Sequence, residues 1–196
     1  MCGRYTIWLN GGEDAEELRE IMNELRRKAP DAAAAIKSGE IAPGDLAPVI
    51  APNRLRVPAA FAMRWGYRLS GGKLVFNARS ETALEKPLFR DGMLNRRCLA
   101  PAGSYFEWET RGREKIRYSI RPAGQPVTYM AGVYRIEDGA PAFVLLTREP
   151  AESIAFIHDR MPVILPDSAR SAWLDARNDA RDVLKAALTD VTFAIA

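Results

Sequence analysis

The second residue of the chain is a cysteine, and this position allows chemistry that a mid-chain cysteine cannot perform. If Met1 is removed, Cys2 carries a free α-amine beside its thiol. The reference pKa of an α-amine is about 7.7–8.0 and that of a thiol about 8.5, so part of the amine is neutral at pH 7. Such an amine adds to an aldehyde to form an imine, on which the thiol closes a five-membered thiazolidine ring. A buried or surface thiol without reactivity is the alternative interpretation.

A second candidate lies in the segment NARSET, which follows a strand-like run. Asn77 and Arg79 are two residues apart, so on a strand they point to the same side. A side-chain amide beside a guanidinium suits a phosphate or sugar oxygen. The alternative is an Asn77 that caps a turn and an Arg79 that faces solvent.

A third candidate is an acidic residue among aromatic ones in the segment SYFEWE. On a strand, Tyr105, Glu107 and Glu109 share one face, whereas Phe106 and Trp108 share the other. A carboxyl group in a partly apolar setting has a raised pKa, which fits it for proton transfer near neutral pH. The alternative is an edge strand with its acids in solvent.

The single histidine of the chain is the fourth candidate. His158 is followed by Asp159, Arg160 and the dipeptide Met-Pro. Histidine is the usual proton shuttle near pH 7. The alternative is a histidine at a helix end, close to the last carbonyl groups.

Composition excludes several other kinds of chemistry and location. The 196 residues include 28 Lys and Arg against 25 Asp and Glu, a net charge of +3 that permits a polyanionic partner without requiring one. Only two cysteines are present, Cys2 and Cys98, so no disulfide framework is expected. A zinc site would need both of them with His158 and a carboxylate, and no paired ligand motif occurs. No phosphate-binding glycine motif indicates a nucleotide, so no cofactor is expected.

The chain also lacks a secretory signal and an apolar run of the roughly 18–20 residues that span a bilayer. We therefore predict a soluble cytoplasmic protein without membrane contact. The sequence assigns no oligomeric state.

The elements that position these residues are mostly predicted strands. One amphipathic helix is predicted near the start from apolar residues at helical spacing: Leu18, Ile21, Met22 and Leu25. Asp14 and Glu17 are expected to form a capping box there. Residues 30–48 are predicted to be loop because they are rich in Pro and Gly.

Strands then follow one another, with a hairpin turn at 70–72 and a short helix within 81–94. The remaining predicted strands are 49–51, 55–65, 74–76, 97–100, 104–109, 116–121, 127–134 and 142–147, and the remaining helices are 150–157, 167–175 and 179–188. Consecutive strands favour antiparallel pairing, so we predict an α+β fold and one domain over residues 1–196.

Taken together, the motifs resemble one known family. MCGRYT, MRWGY, NARSET, RRCLAPAGSYFEW, YMAGVY and IHDRMPVIL occur in this order. They are similar to the motifs of the SRAP family, the SOS-response-associated peptidase domains, across roughly residues 1–175. The resemblance implies a barrel-like, mainly antiparallel β fold with peripheral helices.

The resemblance also implies a role in DNA damage. Members recognise abasic sites in single-stranded DNA, and their N-terminal cysteine forms a thiazolidine link to the ring-opened sugar aldehyde, which protects the lesion. The catalytic pattern of the family falls here on Cys2, Asn77, Glu107 and His158. This is lyase-like Schiff-base chemistry, and the partner it implies is single-stranded DNA containing abasic sites. On that DNA the protein would be nucleoid-associated.

DNA contacts follow from the same resemblance. Arg4 and Arg79 match positions that hold phosphates, and Arg160 is expected to help them. Trp65 and Tyr67 are candidate stacking surfaces for neighbouring bases, although core packing is an equal alternative for Trp65.

Two other functions remain open at this point. In a thiol peptidase, Cys2 would be the nucleophile with its own α-amine as base, assisted by Glu107 and His158. In a non-covalent module for single-stranded nucleic acid, the arginines and aromatic residues would suffice, and nothing would require Cys2.

Overall fold

The computed structural model describes residues 2–8 and 14–196. Its strands are β1 (Arg4–Ile7), β2 (Gly39–Ile41), β3 (Leu46–Pro52), β4 (Pro58–Trp65), β5 (Tyr67–Arg68), β6 (Leu74–Val75), β7 (Asn77–Arg79), β8 (Arg97–Ala102), β9 (Tyr105–Arg111), β10 (Glu114–Pro122), β11 (Thr128–Glu137), β12 (Ala140–Arg148), β13 (Met161–Pro162) and β14 (Val191–Ile195). Its helices are α1 (Asp14–Lys28), α2 (Pro30–Ala34), α3 (Pro87–Asn95), α4 (Asp167–Leu174) and α5 (Ala180–Leu184). Short 3-10 turns cover Ser70–Gly72 and Glu152–Ile154.

Two sheets enclose the main core. The first has the strand order β14-β10-β9-β1-β2, and its pairs are antiparallel. In the second, β11, β8, β3, β4 and β12 follow one another and β12 pairs with β11 again, so that these strands form a closed ring. Ring closure leaves no unpaired edge among the five strands. The predicted mainly antiparallel, barrel-like fold is confirmed, with parallel pairs only where β12 meets β4 and β7 among the described strands.

Helix α1 forms where the apolar spacing predicts it. Its predicted inner face is buried, with Leu18, Met22 and Leu25 each at most 1% exposed. Burying a side chain of this size contributes about 1.5–3 kcal/mol. The side chain of Asp14 lies outside the described residues, so the capping box stays a prediction. The Glu17 carboxylate accepts a hydrogen bond from the Tyr129 hydroxyl.

The predicted loop at 30–48 is wrong in part. It contains α2, β2 and the start of β3. Pro30 begins α2, where the first turn tolerates a residue without an N–H. Strand β2 is three residues long and pairs with β1, a long-range contact that no local periodicity reveals.

The strand predicted over 55–65 begins later, at Pro58. The Asn53 side chain accepts hydrogen bonds from the backbone N–H groups of Leu55 at 2.8 Å and Val57 at 3.1 Å. Arg56 has a φ of 61° in the same turn. These contacts are typical of an Asn-initiated turn, which delays the strand.

A glycine in the ring provides the first testable prediction. A Cβ added at Gly132 would lie 2.7 Å from the carbonyl oxygen of Val144 on the neighbouring strand. A backbone oxygen in a ladder cannot move aside, so Gly132→Ala is expected to lower the free energy of unfolding by about 1–3 kcal/mol. Urea denaturation measures the change, and an unaltered midpoint with an unaltered slope would contradict the close approach.

Candidate active site around Cys2

Strand pairing brings the four candidate segments to one end of the molecule. Strand β1 lies beside β9, with Arg4 opposite Phe106. Near the end of β12, Thr147 has Arg79 of β7 on one side and Pro162 of β13 on the other. The NARSET and HDRMP segments therefore flank the same strand. The Asn77 side chain joins them to the N-terminus, because its Nδ2 donates to the Cys2 carbonyl oxygen at 2.7 Å.

Cys2 is fully buried. Its Sγ lies 3.8 Å from the Arg4 carbonyl oxygen, which accepts a weak hydrogen bond from the thiol. Burial raises the pKa of the Cys2 thiol well above its usual range, and the charge of Glu107 raises it further. The thiol is therefore protonated at neutral pH, and its attack on an electrophile requires a nearby base.

Glu107 is suited to be that base. Its side chain projects from β9 and the residue is only 3% exposed. Burial raises the pKa of Glu107 to about 7, and the charge of Asp159 also raises it. Acid and carboxylate forms are thus both populated near neutral pH, which allows Glu107 to accept and return a proton. The partly apolar setting predicted from the flanking aromatic residues agrees with this burial.

His158 lies beside the same acidic neighbour. Burial lowers its pKa below the usual value, so that the imidazole is mainly neutral at pH 7. The Arg160 backbone N–H lies 3.0 Å from His158 Nδ1, and Asp159 Oδ1 lies 2.8 Å from the same atom. Nδ1 accepts from Arg160 when it carries no proton and donates to Asp159 when it does. This pair of neighbours supports both proton arrangements of an acid–base histidine.

The two arginines expected to hold phosphates lie on the surface. The Arg4 side chain is 48% exposed and 3.6 Å from Glu40, and Arg79 is also exposed. Ala78 between Asn77 and Arg79 is buried, so these two residues share the other face of β7, as the spacing predicts, where Asn77 is half-buried against Cys2 and Arg79 is exposed. An exposed ion pair such as that of Arg4 contributes little, and a phosphate can replace its partner.

Three of the residues predicted to bind DNA are placed otherwise. The structure contradicts stacking on Trp65 and Tyr67, which are at most 1% exposed. Trp65 Nε1 donates to the Phe76 carbonyl oxygen and the Tyr67 hydroxyl to that of Val133, so their rings belong to the core.

Arg160 is held by protein groups. Its guanidinium donates to both carboxylate oxygens of Glu81, at 2.9 and 2.8 Å, and to the Thr147 carbonyl oxygen at 2.6 Å. A bidentate pair of this kind fixes a side chain firmly. Contact between Arg160 and a phosphate therefore requires the pair with Glu81 to open.

Asp159 is a site residue that the sequence interpretation left without a role. Its carboxylate contacts His158 Nδ1, and its charge raises the pKa of Glu107. Its position beside the single histidine was the available signal. Within the two described stretches, no His, Cys, Asp and Glu side chains form a group able to hold a metal ion. No described helix is long and apolar enough to cross a membrane.

The chain matches one protein-family model and several relatives of known name. A model of the family described as SOS response associated peptidase (SRAP) matches residues 1–194. Abasic site processing protein YoaM of Bacillus subtilis is 37% identical over 123 residues, 60% of this chain and 54% of that protein. The chain thus spans about half the length of this relative. Abasic site processing protein YedK of Escherichia coli is 27% identical over 183 residues, 89% of this chain and 79% of that protein.

Solved structures share the fold. A protein of Bacteroides thetaiotaomicron has a TM-score of 0.77 at 19% identity, covering 99% of this chain and 91% of that one. A phage-related protein of Bordetella bronchiseptica has a TM-score of 0.74 at 22% identity, covering 100% and 94%. At these identities, the similarity concerns the fold alone.

Proposed function

The chain belongs to the SRAP family, and we propose that it processes abasic sites in single-stranded DNA by forming a covalent thiazolidine link through Cys2. Relatives named as abasic site processing proteins support the lesion as substrate. One observation carries the chemistry: a cysteine at position 2 lies beside a buried carboxyl group whose pKa is about 7. The proposal includes a cytoplasmic location, where Met1 is removed and DNA is reached.

The reaction balances without a cofactor. After Met1 is removed, the neutral α-amine of Cys2 adds to the aldehyde of the ring-opened sugar and gives a carbinolamine. Loss of water produces an imine. The thiol sulfur then bonds to the imine carbon, and its proton passes to the nitrogen. The products are one thiazolidine ring and one water, with no change in oxidation state.

Each neighbouring side chain has a role in these steps. Glu107 accepts a proton from the amine, returns it to the departing hydroxyl, and then transfers the thiol proton to the imine nitrogen. His158 exchanges a proton with the sugar oxygen as the ring opens. Asn77 fixes the Cys2 carbonyl, and thereby the direction of the amine. Arg4 and Arg79 hold the flanking phosphates by charge.

The aldehyde requirement tests the function directly. The Met1-processed protein is mixed with a single-stranded oligonucleotide that contains one abasic site, and the mixture is run on a denaturing gel without borohydride. We expect a shifted band that survives denaturation. The control oligonucleotide has its abasic aldehyde reduced to an alcohol beforehand, and it should give no such band because the amine has no carbonyl carbon to attack.

Two results would count against the proposal. One is the absence of a band when mass spectrometry confirms a free Cys2 amine. The other is an equal band with the reduced site, which would mean that the protein attaches elsewhere on DNA. Turnover of a peptide that stops when the α-amine is blocked would instead support the peptidase.

A further inference from the structure

Three aromatic side chains form a partly exposed cluster on the first sheet. The rings of Tyr118 and Phe156 are 5.8 Å apart, those of Tyr118 and Phe193 5.8 Å, and those of Phe156 and Phe193 5.5 Å. Phe156 is 51% exposed and Phe193 42% exposed, whereas Tyr118 beneath them is buried. We call these three residues the aromatic platform. Nothing in the steps at Cys2 uses it.

The platform borders the candidate active site. Tyr118 of β10 lies directly opposite Glu107 of β9, and cross-strand partners project from the same face of a sheet. Phe193 comes from β14 on the other side of β10, opposite Ile120. Phe156 precedes His158 by two residues. The two exposed rings therefore lie next to the elements that carry the proposed acid and base.

A basic hairpin continues from the same two strands. Residues 110–117, which join β9 to β10, carry the basic side chains Arg111, Arg113, Lys115 and Arg117 and a single acid, Glu114. This excess of three positive charges over eight residues equals that of the entire chain. Arg111 is paired with Glu109 and Arg117 with Glu40, whereas Arg113 and Lys115 form no ion pair with a described residue, so these two are the side chains expected to attract phosphates. Positive charge beside exposed aromatic rings is the combination that binds single-stranded nucleic acid, where bases stack and phosphates are attracted.

We propose that the aromatic platform stacks a base adjacent to the abasic nucleotide, with Phe156 and Phe193 as its contact surface. This inference depends on the proposed function, because it concerns how the protein holds the same DNA strand next to the abasic nucleotide that reacts with Cys2. An abasic nucleotide has no base of its own to hold it in register. A stacked neighbour therefore supplies the positioning that brings the sugar to Cys2, and the basic hairpin attracts the phosphates beyond it.

The test measures binding apart from chemistry. Fluorescence anisotropy follows a labelled single-stranded oligonucleotide that carries a tetrahydrofuran analogue of the abasic site, which has no aldehyde. Phe156→Ala and Phe193→Ala are each expected to weaken binding about 5- to 20-fold, since stacking of one base on one aromatic ring has effects of this order. Ile136→Ala is the matched control, because Ile136 is 53% exposed on β11 outside the platform, and it should leave the affinity unchanged.

A second set of oligonucleotides identifies what the rings contact. Each lacks the base on one side of the analogue, first on the 5′ side and then on the 3′ side. When the missing base is the one that stacks, the affinity of the wild-type protein should fall by about the same factor as the affinity of the variants falls on the complete strand. On the strand that lacks this base, the affinity of the variants should not fall any further. Phe156→Leu, which keeps apolar packing and removes the ring, should behave like Phe156→Ala.

The outcomes separate this inference from the proposed function. If the substitutions lower the affinity equally on the complete strand and on both base-deleted strands, or do not lower it at all, the stacking role is wrong. So does a change of sedimentation mass in the variants, which would assign the surface to contact between two copies of the chain. If the analogue binds as expected but an aldehyde-bearing strand forms no adduct, the platform stands and the crosslinking function fails.

Discussion

Replacing Cys2 by alanine is expected to abolish the denaturation-stable adduct, with a loss of at least about 10³-fold in its rate of formation, as for other covalent nucleophiles. The alanine variant keeps an α-amine and still forms an imine with the aldehyde. It lacks the sulfur that closes the ring, so its link hydrolyses on denaturation and appears only when borohydride is added. Non-covalent affinity should remain within about twofold, because the substitution leaves unchanged Arg4 and Arg79, the side chains proposed to hold the flanking phosphates.

The chain contains its own control for this substitution. Cys98 is the second cysteine, and it is also fully buried and free of disulfide bonds. Cys98→Ala should form the adduct at the wild-type rate. A stable band with Cys2→Ala, or its loss with Cys98→Ala in a folded protein, would mean that the amine and thiol of Cys2 are not the reacting pair.

Glu107→Gln is expected to slow adduct formation by about 10²–10³-fold, which is the usual contribution of a positioned acid–base group. The size of the effect should depend on pH. Burial raises the pKa of Glu107 to about 7, so below this pH the wild-type carboxyl is already protonated and cannot accept the amine proton. The ratio of wild-type to variant rate should therefore rise as the pH increases and level off above about 8. At pH 6 it should be about one tenth of its plateau.

Rapid-quench measurements between pH 5.5 and 8.5 determine this ratio. The Cys2 amine is titrated separately in each protein, because loss of the neighbouring Glu107 charge changes its pKa. Glu20→Gln is the control, since Glu20 is exposed on α1 outside both the candidate site and the aromatic platform, and it should show a ratio near one at every pH. A ratio for Glu107→Gln that is large and independent of pH would show that its carboxyl group acts by position and not by proton transfer.

The sequence predicts the parts of this fold that depend on local pattern. The inner face of α1 follows from Leu18, Met22 and Leu25, and the face shared by Tyr105 and Glu107 follows from strand alternation. The short strands β2 and β13 could not be predicted. Each has two or three residues, and each exists because a partner distant in sequence provides its hydrogen bonds.

The candidate site residues show the same difference between what local pattern predicts and what only the folded chain reveals. The types and positions of Cys2 and Glu107 indicate their chemistry, and burial supplies the conditions for it. Trp65 and Tyr67 were wrong as DNA contacts because an aromatic residue on a strand has the same pattern whether its face is covered or open. Asp159 lacked a role because only the folded chain shows that its charge reaches both His158 and Glu107.

The position of β1 has a consequence for biosynthesis. Although β1 is synthesised long before β9, it is an inner strand of its sheet, between β2 and β9. Strand β9 begins at Tyr105, about a hundred residues later, and at 5–20 residues per second its synthesis takes about 5–20 s. During that interval β1 lacks one of its two partners, and the first residues remain open to the aminopeptidase that removes Met1. Completion of the sheet then fixes β1 on both sides, so the removal of Met1 that the proposed function requires has its widest access before β9 is made.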